Sequence, residues 1–278
     1  MYSGFITHHK TVARLGVHQR LDRAAAKMIR PYIPNGTLPP IKQILKFEGI
    51  NGPDGLKVKS PENNPSHVYE AHLHNESMEP IVQHYEGLVK ALRERDRVRA
   101  AFDAAWLAHY VCDGLTPAHH YPLGEMKREA AEAVEQAAIE DKSHIAALVR
   151  RQWKLWGAKG HYSTHFNFEM GLAFSLLGTQ LKAVFLPAHL KRARKLGLVK
   201  YFKGEVNAVI KLDLYNSFYR QGWTTRIVRA IKKSLMPHII EVIGVIWMLA
   251  IEEAGYPLRG AAARSGAAAR GTTAKRRR

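Results

Sequence analysis

Apolar positions along this chain recur at intervals of three and four, the period of a helix buried on one face. The pattern predicts helices over "HQRLDRAAAKMI" (18–29), residues 77–113, and "EMKREAAEAVEQAAIEDKSHIAALVRRQWKLWG" (125–157). It returns over 165–186, over about 204–218, and in a run that ends at Glu253. The alternation expected of strands is nearly absent, and no internal repeat is visible. The expected fold is all-α, a single multi-helix domain.

Breaks in the pattern divide the chain further. "IPNGTLPPIKQ" and "FEGINGPDGLKVKSPENNPSH" are rich in Pro, Gly and Asn and predict a long irregular connection, of the kind that often carries function. "GLTPAHHYPLGE" reads as a second such loop. After residue 256 the sequence becomes low in complexity and loses any apolar face. The expected organisation is a helical domain over 1–256 and a basic, disordered tail over 257–278.

Charge sharpens this division. Of the formal +18, seven positive charges and no acid lie after Pro257, which leaves +11 on the rest. A body this basic attracts phosphates, on nucleic acid or on lipid headgroups, and the tail is either a solvated terminus or an arm for such partners. The single cysteine, Cys112, excludes an intramolecular disulfide framework. The N-terminus lacks the apolar core of a secretory signal, so a complete chain is expected in the cytoplasm, peripheral to a membrane if its cations engage one. The most apolar stretches, 170–187 and 239–251, carry Gln180 and Lys182 or Glu241 and read as buried helices, so no transmembrane segment is expected.

The candidate chemistry centres on "HYVCDGLTPAHHYP" (109–122). His109 and Asp113 are four residues apart and share one helical face, where they can grip a cation or simply pair with each other. The loop that follows delivers His119. In "HYSTHFNFEM", His165 and Glu169 repeat the same spacing beside another glycine-containing loop. Asp54 follows a Gly-Pro turn, with His67 thirteen residues on; both read equally as turn residues.

The order of these residues resembles the prokaryotic zinc-dependent phospholipases C. "HYVCDGLTPAHH" matches that family's signature of His-Tyr, two residues, Asp, three residues, Pro, one residue and His. An early His on a helix and an Asp–loop–His precede it, and His-x-x-x-Glu follows. The likeness runs from about His18 to Glu169 and weakly to a final apolar helix at 237–254; the fungal single-strand nucleases share the fold and much of this order. The resemblance implies a cluster of up to three Zn²⁺ ions. Asp54, His67, His109 and Asp113 would hold one, His119, His165 and Glu169 a second, and Asp113 with His18 a third. Mixed imidazole and carboxylate ligation suits Zn²⁺.

It further implies hydrolysis of a phosphodiester, a phospholipid above all, by a metal-activated water, with Asp54 as ligand and general base. A nuclease acting on single-stranded nucleic acid is the alternative substrate class. A metal-stabilised protein without turnover, binding anionic partners through its basic tail, is the alternative from outside the enzymes. The sequence also departs from the family. Family members are secreted and use a processed N-terminal Trp at the third zinc, whereas this chain begins Met-Tyr; His8 or His9 stand as substitutes for that donor or for His18. Cys112 takes the place of a Gly or Thr and reads as packed, His120 as turned away from the metal, and His161 as an outer partner. His72, His74 and His84 read as solvated or structural, with His72 able to exchange roles with His67. The basic run Arg192–Lys203 reads as a solvated face.

Overall fold

The computed structural model describes residues 16–55, 78–120 and 160–260, with isolated positions between 132 and 157 and residue 262. Helix α1, Val17–Ile29, starts where Gln19 accepts a hydrogen bond from the Gly16 N–H at 2.6 Å. Its Val17, Leu21, Ala25 and Ile29 form a buried row at four-residue spacing. As far as residue 55, the Pro/Gly-rich connection that follows is less irregular than expected. It holds a one-turn helix α2 (Ile41–Ile44) and 3₁₀ turns at Leu45–Phe47 and Gly49–Asn51. Short turns of this kind keep most of their backbone groups bonded locally, so the segment can be buried without a regular ladder.

The periodic stretch 77–113 is two helices, not one. Helix α3 (Glu79–Glu94) begins with Pro80 in its first turn and ends at Arg95, whose φ of 60° is left-handed. Helix α4 (Arg97–Gly114) starts at once, because the Asp96 carboxylate accepts from the Val98 and Arg99 N–H groups at 3.0 and 2.9 Å. Two residues therefore reverse the chain. Hydrophobic period alone cannot register such a turn, since both helices keep the same spacing on either side of it.

Helix α5 is His161–Ser175, α6 is Pro187–Ile210, α7 is Leu214–Gln221 and α8 is Thr225–Glu253. The expected helix over 165–186 is cut short: Gly178 adopts φ +66° and Leu186 is extended before Pro187. Residues 179–186 form no regular element. The reading of 170–187 as one buried helix is thus corrected. In α6, Gly197 at φ 74°, ψ 166° kinks the helix, which is where the basic run lies. No strand occurs among the described residues, and the fold is all-α as the periodicity implies.

Helix α8 is the axis of the core. It contains one π-helical turn at Ile231–Leu235, and almost every residue from Met236 to Ile251 is buried. By length and composition it could cross a membrane, but 83% of its most apolar window is buried inside the fold. Trp247, fully buried, donates Nε1–H to the Ala104 carbonyl of α4 at 3.1 Å. Gly244 lets α1 approach: a Cβ there would meet Met28 Cε at 2.5 Å and Ile29 Cγ2 at 2.7 Å. The C-terminal half of α4 is buried all round, so any charged group on it is removed from water. Most of the expected helix over 125–157, His67, His72, His74, His8, His9, the side chain of His161 and most of the tail lie outside the described residues.

Candidate metal centre

Helix α4 supplies the middle of the site. His109 and Asp113, one turn apart, have Nε2 and Oδ2 3.3 Å apart, and both are fully buried. Beyond Asp113 the chain turns sharply. Leu115 N–H bonds back to Val111 and Cys112, Thr116 Oγ1 donates to the Cys112 carbonyl at 2.8 Å, and Pro117–His120 form a 3₁₀ turn. That turn carries His119 back to within 3.6 Å (Nε2–Oδ1) of Asp113. His120 is held off, its Nε2 2.7 Å from the Gly114 carbonyl, and Cys112 is buried, as the sequence suggests for both.

Helix α1 brings His18 from the other direction, with Nε2 3.3 Å from Asp113 Oδ1 and its ring stacked on His109 at 4.2 Å. The Asp113 carboxylate thus faces three imidazoles. Helix α5 completes the second part: Glu169 Oε1 lies 2.9 Å from His119 Nε2 and 3.2 Å from His165 Nε2. Asp54 reaches His109 Nε2 at 3.8 Å and remains 28% exposed. Seven of the eight residues picked from the sequence therefore meet; the eighth, His67, lies outside the described residues.

Two acids belong here that the sequence reading passed over. Glu48 is buried, and its Oε2 lies 3.3 Å from His109 Nδ1, where a carboxylate can fix the ring of a metal-binding histidine. Asp22 is buried as well. Asp22 follows His18 by four residues on α1, the spacing of the other two pairs, so its signal was present in "HQRLD". Glu48 had none: it stands in a loop, and only the 3₁₀ turns around it take it into the core.

Donor atoms of His18, Glu48 and His109 lie within 4.8 Å of one another, as do those of His119, His165 and Glu169. The second set coincides with one expected zinc site. The first differs from the expected partition, since Glu48 joins His18 and His109. Burial lowers the His109 imidazole to about 3, helped by neighbouring His18, and lowers His119 too, leaving neutral rings with lone pairs to offer. Burial also pushes against ionisation of Asp113, but His119, His109 and His18 outweigh it and hold that carboxyl well below its usual range. Glu169 too lies well below its usual range despite its burial, and hydrogen bonds from His119 and His165 are among the causes.

Glu48 and Asp22 behave oppositely. Burial raises both well above the ordinary range, and Asp22, Asp54 and Asp113 push Glu48 further. Among the described residues no Lys or Arg pairs with either, and Asp22 Oδ2, Glu48 Oε1 and His165 Nδ1 are buried without a hydrogen-bond partner. Buried acids with no countercharge are costly. The donor set and its charge fit divalent cations with mixed nitrogen and oxygen ligation. No family model, curated protein or solved structure matches the chain.

Proposed function

We propose that the chain is a zinc-dependent phosphodiester hydrolase of the phospholipase C type. The observation that carries this reading is Asp113, which stands between two sets of metal-type donors and within 3.6 Å of an imidazole from each. A carboxylate so placed can bridge neighbouring cations. His18 and His109, with Glu48 behind, would hold one side, and His119, His165 and Glu169 the other. Bound zinc supplies Lewis acidity, neutralising phosphoryl oxygens and lowering the pKa of water. The chain's own groups do the rest. Glu48 orients the His109 ring from its Nδ1 side, and Asp54, the most exposed of the facing carboxylates, is available to take a proton from water.

The test is metal analysis of protein purified with zinc, joined to assays on phosphatidylcholine vesicles, single-stranded DNA and bis(p-nitrophenyl) phosphate. The expected outcome is more than one zinc ion per chain and phosphodiester cleavage that a chelator abolishes. Protein that retains no metal and cleaves none of the three would overturn the proposal.

A further inference from the structure

The apolar stretch that follows the metal centre is only partly buried. Phe166, Phe174, Leu177, Val184 and Leu186 are 59%, 63%, 57%, 78% and 48% exposed. Phe166, Met170 and Phe174 are spaced four apart along α5, the helix that also carries His165 and Glu169. Leu177, Val184 and Leu186 continue from its end through the non-helical segment. Large apolar side chains exposed in succession along one segment are material for a contact surface.

Cations border the group. A cavity of about 450 Å³ separates the segment from α1 and is lined by Arg20, Arg23, Lys27 and Lys182. Arg20 ties the two together, donating from Nη2 to the carbonyls of Leu176 and Thr179 at 3.0 and 2.5 Å. Among the described residues none of these four cations is ion-paired, and Arg23 Nε is buried with no hydrogen-bond partner. A neighbouring cavity shares Arg23 and Lys27 and adds Arg30. Among the described residues these cations meet no anion, and the apolar groups that follow on the segment stand exposed.

We propose that this surface docks the protein on an anionic phospholipid bilayer. Charge selects the occupant: a second copy of a chain carrying +18 would repel the cations. A nucleic acid would satisfy them and leave Val184 and Leu186 in water. A bilayer supplies phosphates for the cavity and an acyl boundary for the apolar chains at once. Because α5 carries both the apolar row and two of the metal-type ligands, docking holds the centre at the lipid surface; that consequence rests on the hydrolase reading, whereas docking itself does not.

Sedimentation of the full chain with phosphatidylcholine–phosphatidylglycerol vesicles, with and without a chelator, tests it. Two variants attack separate halves of the surface: F174S/V184S/L186S and K27E/K182E, whose sites are all exposed. Each is expected to bind at least roughly tenfold more weakly, while K195E, at an exposed position of α6, binds as the parent does. Rates on soluble bis(p-nitrophenyl) phosphate should be unchanged in all three. Parent-like vesicle binding by both variants, no vesicle binding by the parent, or loss in K27E/K182E of single-stranded DNA binding alone would overturn the proposal. A parent that docks but hydrolyses nothing when loaded with zinc sinks the hydrolase reading and leaves docking standing.

Discussion

The centre around Asp113 and a second cluster between α6 and α8 are built from the same residue types, with opposite results. In the second, His189 Nδ1 faces Glu241 Oε2 at 3.2 Å and His238 Nε2 faces Glu205 Oε2 at 3.3 Å, all four residues lying largely inside the fold. Here the chain supplies a partner to each acid, although His189 Nδ1 and His238 Nε2, like His165 Nδ1, are buried without a hydrogen-bond partner. Arg192 reaches Glu205 Oε1 at 3.0 Å, and the Leu186 N–H donates to Glu241 Oε1 at 2.7 Å. Around Asp113, Glu48 and Asp22 have no described Arg or Lys, and donors converge in threes. Histidines and acids together do not make a cation site. Convergence and a deficit of positive charge are what would let the Asp113 centre hold one.

The largest effect should come from the residue shared by both donor sets. Asp113→Asn should strip metal from the centre and lower phosphodiesterase activity by more than the roughly 10–100-fold that losing an outer hydrogen bond costs; zinc content and turnover equal to the parent would erase the contrast. Glu48→Gln should stay within that range, weakening zinc affinity about 10–100-fold in a chelator competition while leaving the helical fold intact by circular dichroism. An unchanged affinity would make Glu48 a bystander.

On the other side of the comparison, Arg192→Met should leave zinc content untouched and cost stability. Breaking a fully buried pair costs about 3–5 kcal/mol; Arg192 is half exposed, so about 2 kcal/mol is expected in urea unfolding. Metal loss in this variant would mean that the clusters are coupled. The smallest effect is one of pH. In chelated protein His109 is held near 3 and His120 near 4 by burial, against 6.5 for an ordinary imidazole. Their contribution is therefore fully present above 6.5 and is lost as pH falls toward the folded values. Glu48 and Asp22, raised by burial, work the other way: as pH rises past the ordinary carboxylate range the folded chain keeps protons that the unfolded chain gives up. A cation bound beside them would favour their ionised forms, so the rise in Tm on adding zinc should grow from weakly acidic to neutral pH. A rise independent of pH would remove these two acids from the centre.

The periodicity made most of this legible, and its failures share a cause. Helical spacing located α1, α4 and α5 and put His109 with Asp113 and His165 with Glu169, because i and i+4 neighbours meet whatever the rest of the fold does. Breaks that keep the spacing were invisible: Arg95–Asp96 reverses the chain inside a continuous pattern. The stretch 170–187 is apolar enough for a core helix, yet Gly178 and Pro187 end the helical course and leave Val184 and Leu186 in solvent. His84 reads as solvated or structural and proves structural, buried with Nδ1 2.9 Å from Asp103. Asp22 was legible by the same spacing rule. Glu48 depends on tertiary burial of a loop, which no local pattern encodes.

Anomalous diffraction at the zinc edge, from crystals of the zinc-loaded full chain, measures the central claim most directly. It should give one peak within about 2.0–2.2 Å of His119, His165 and Glu169 ligand atoms, and another beside His18 and His109. Peaks only between Glu205 and His238, or none at all, would contradict it.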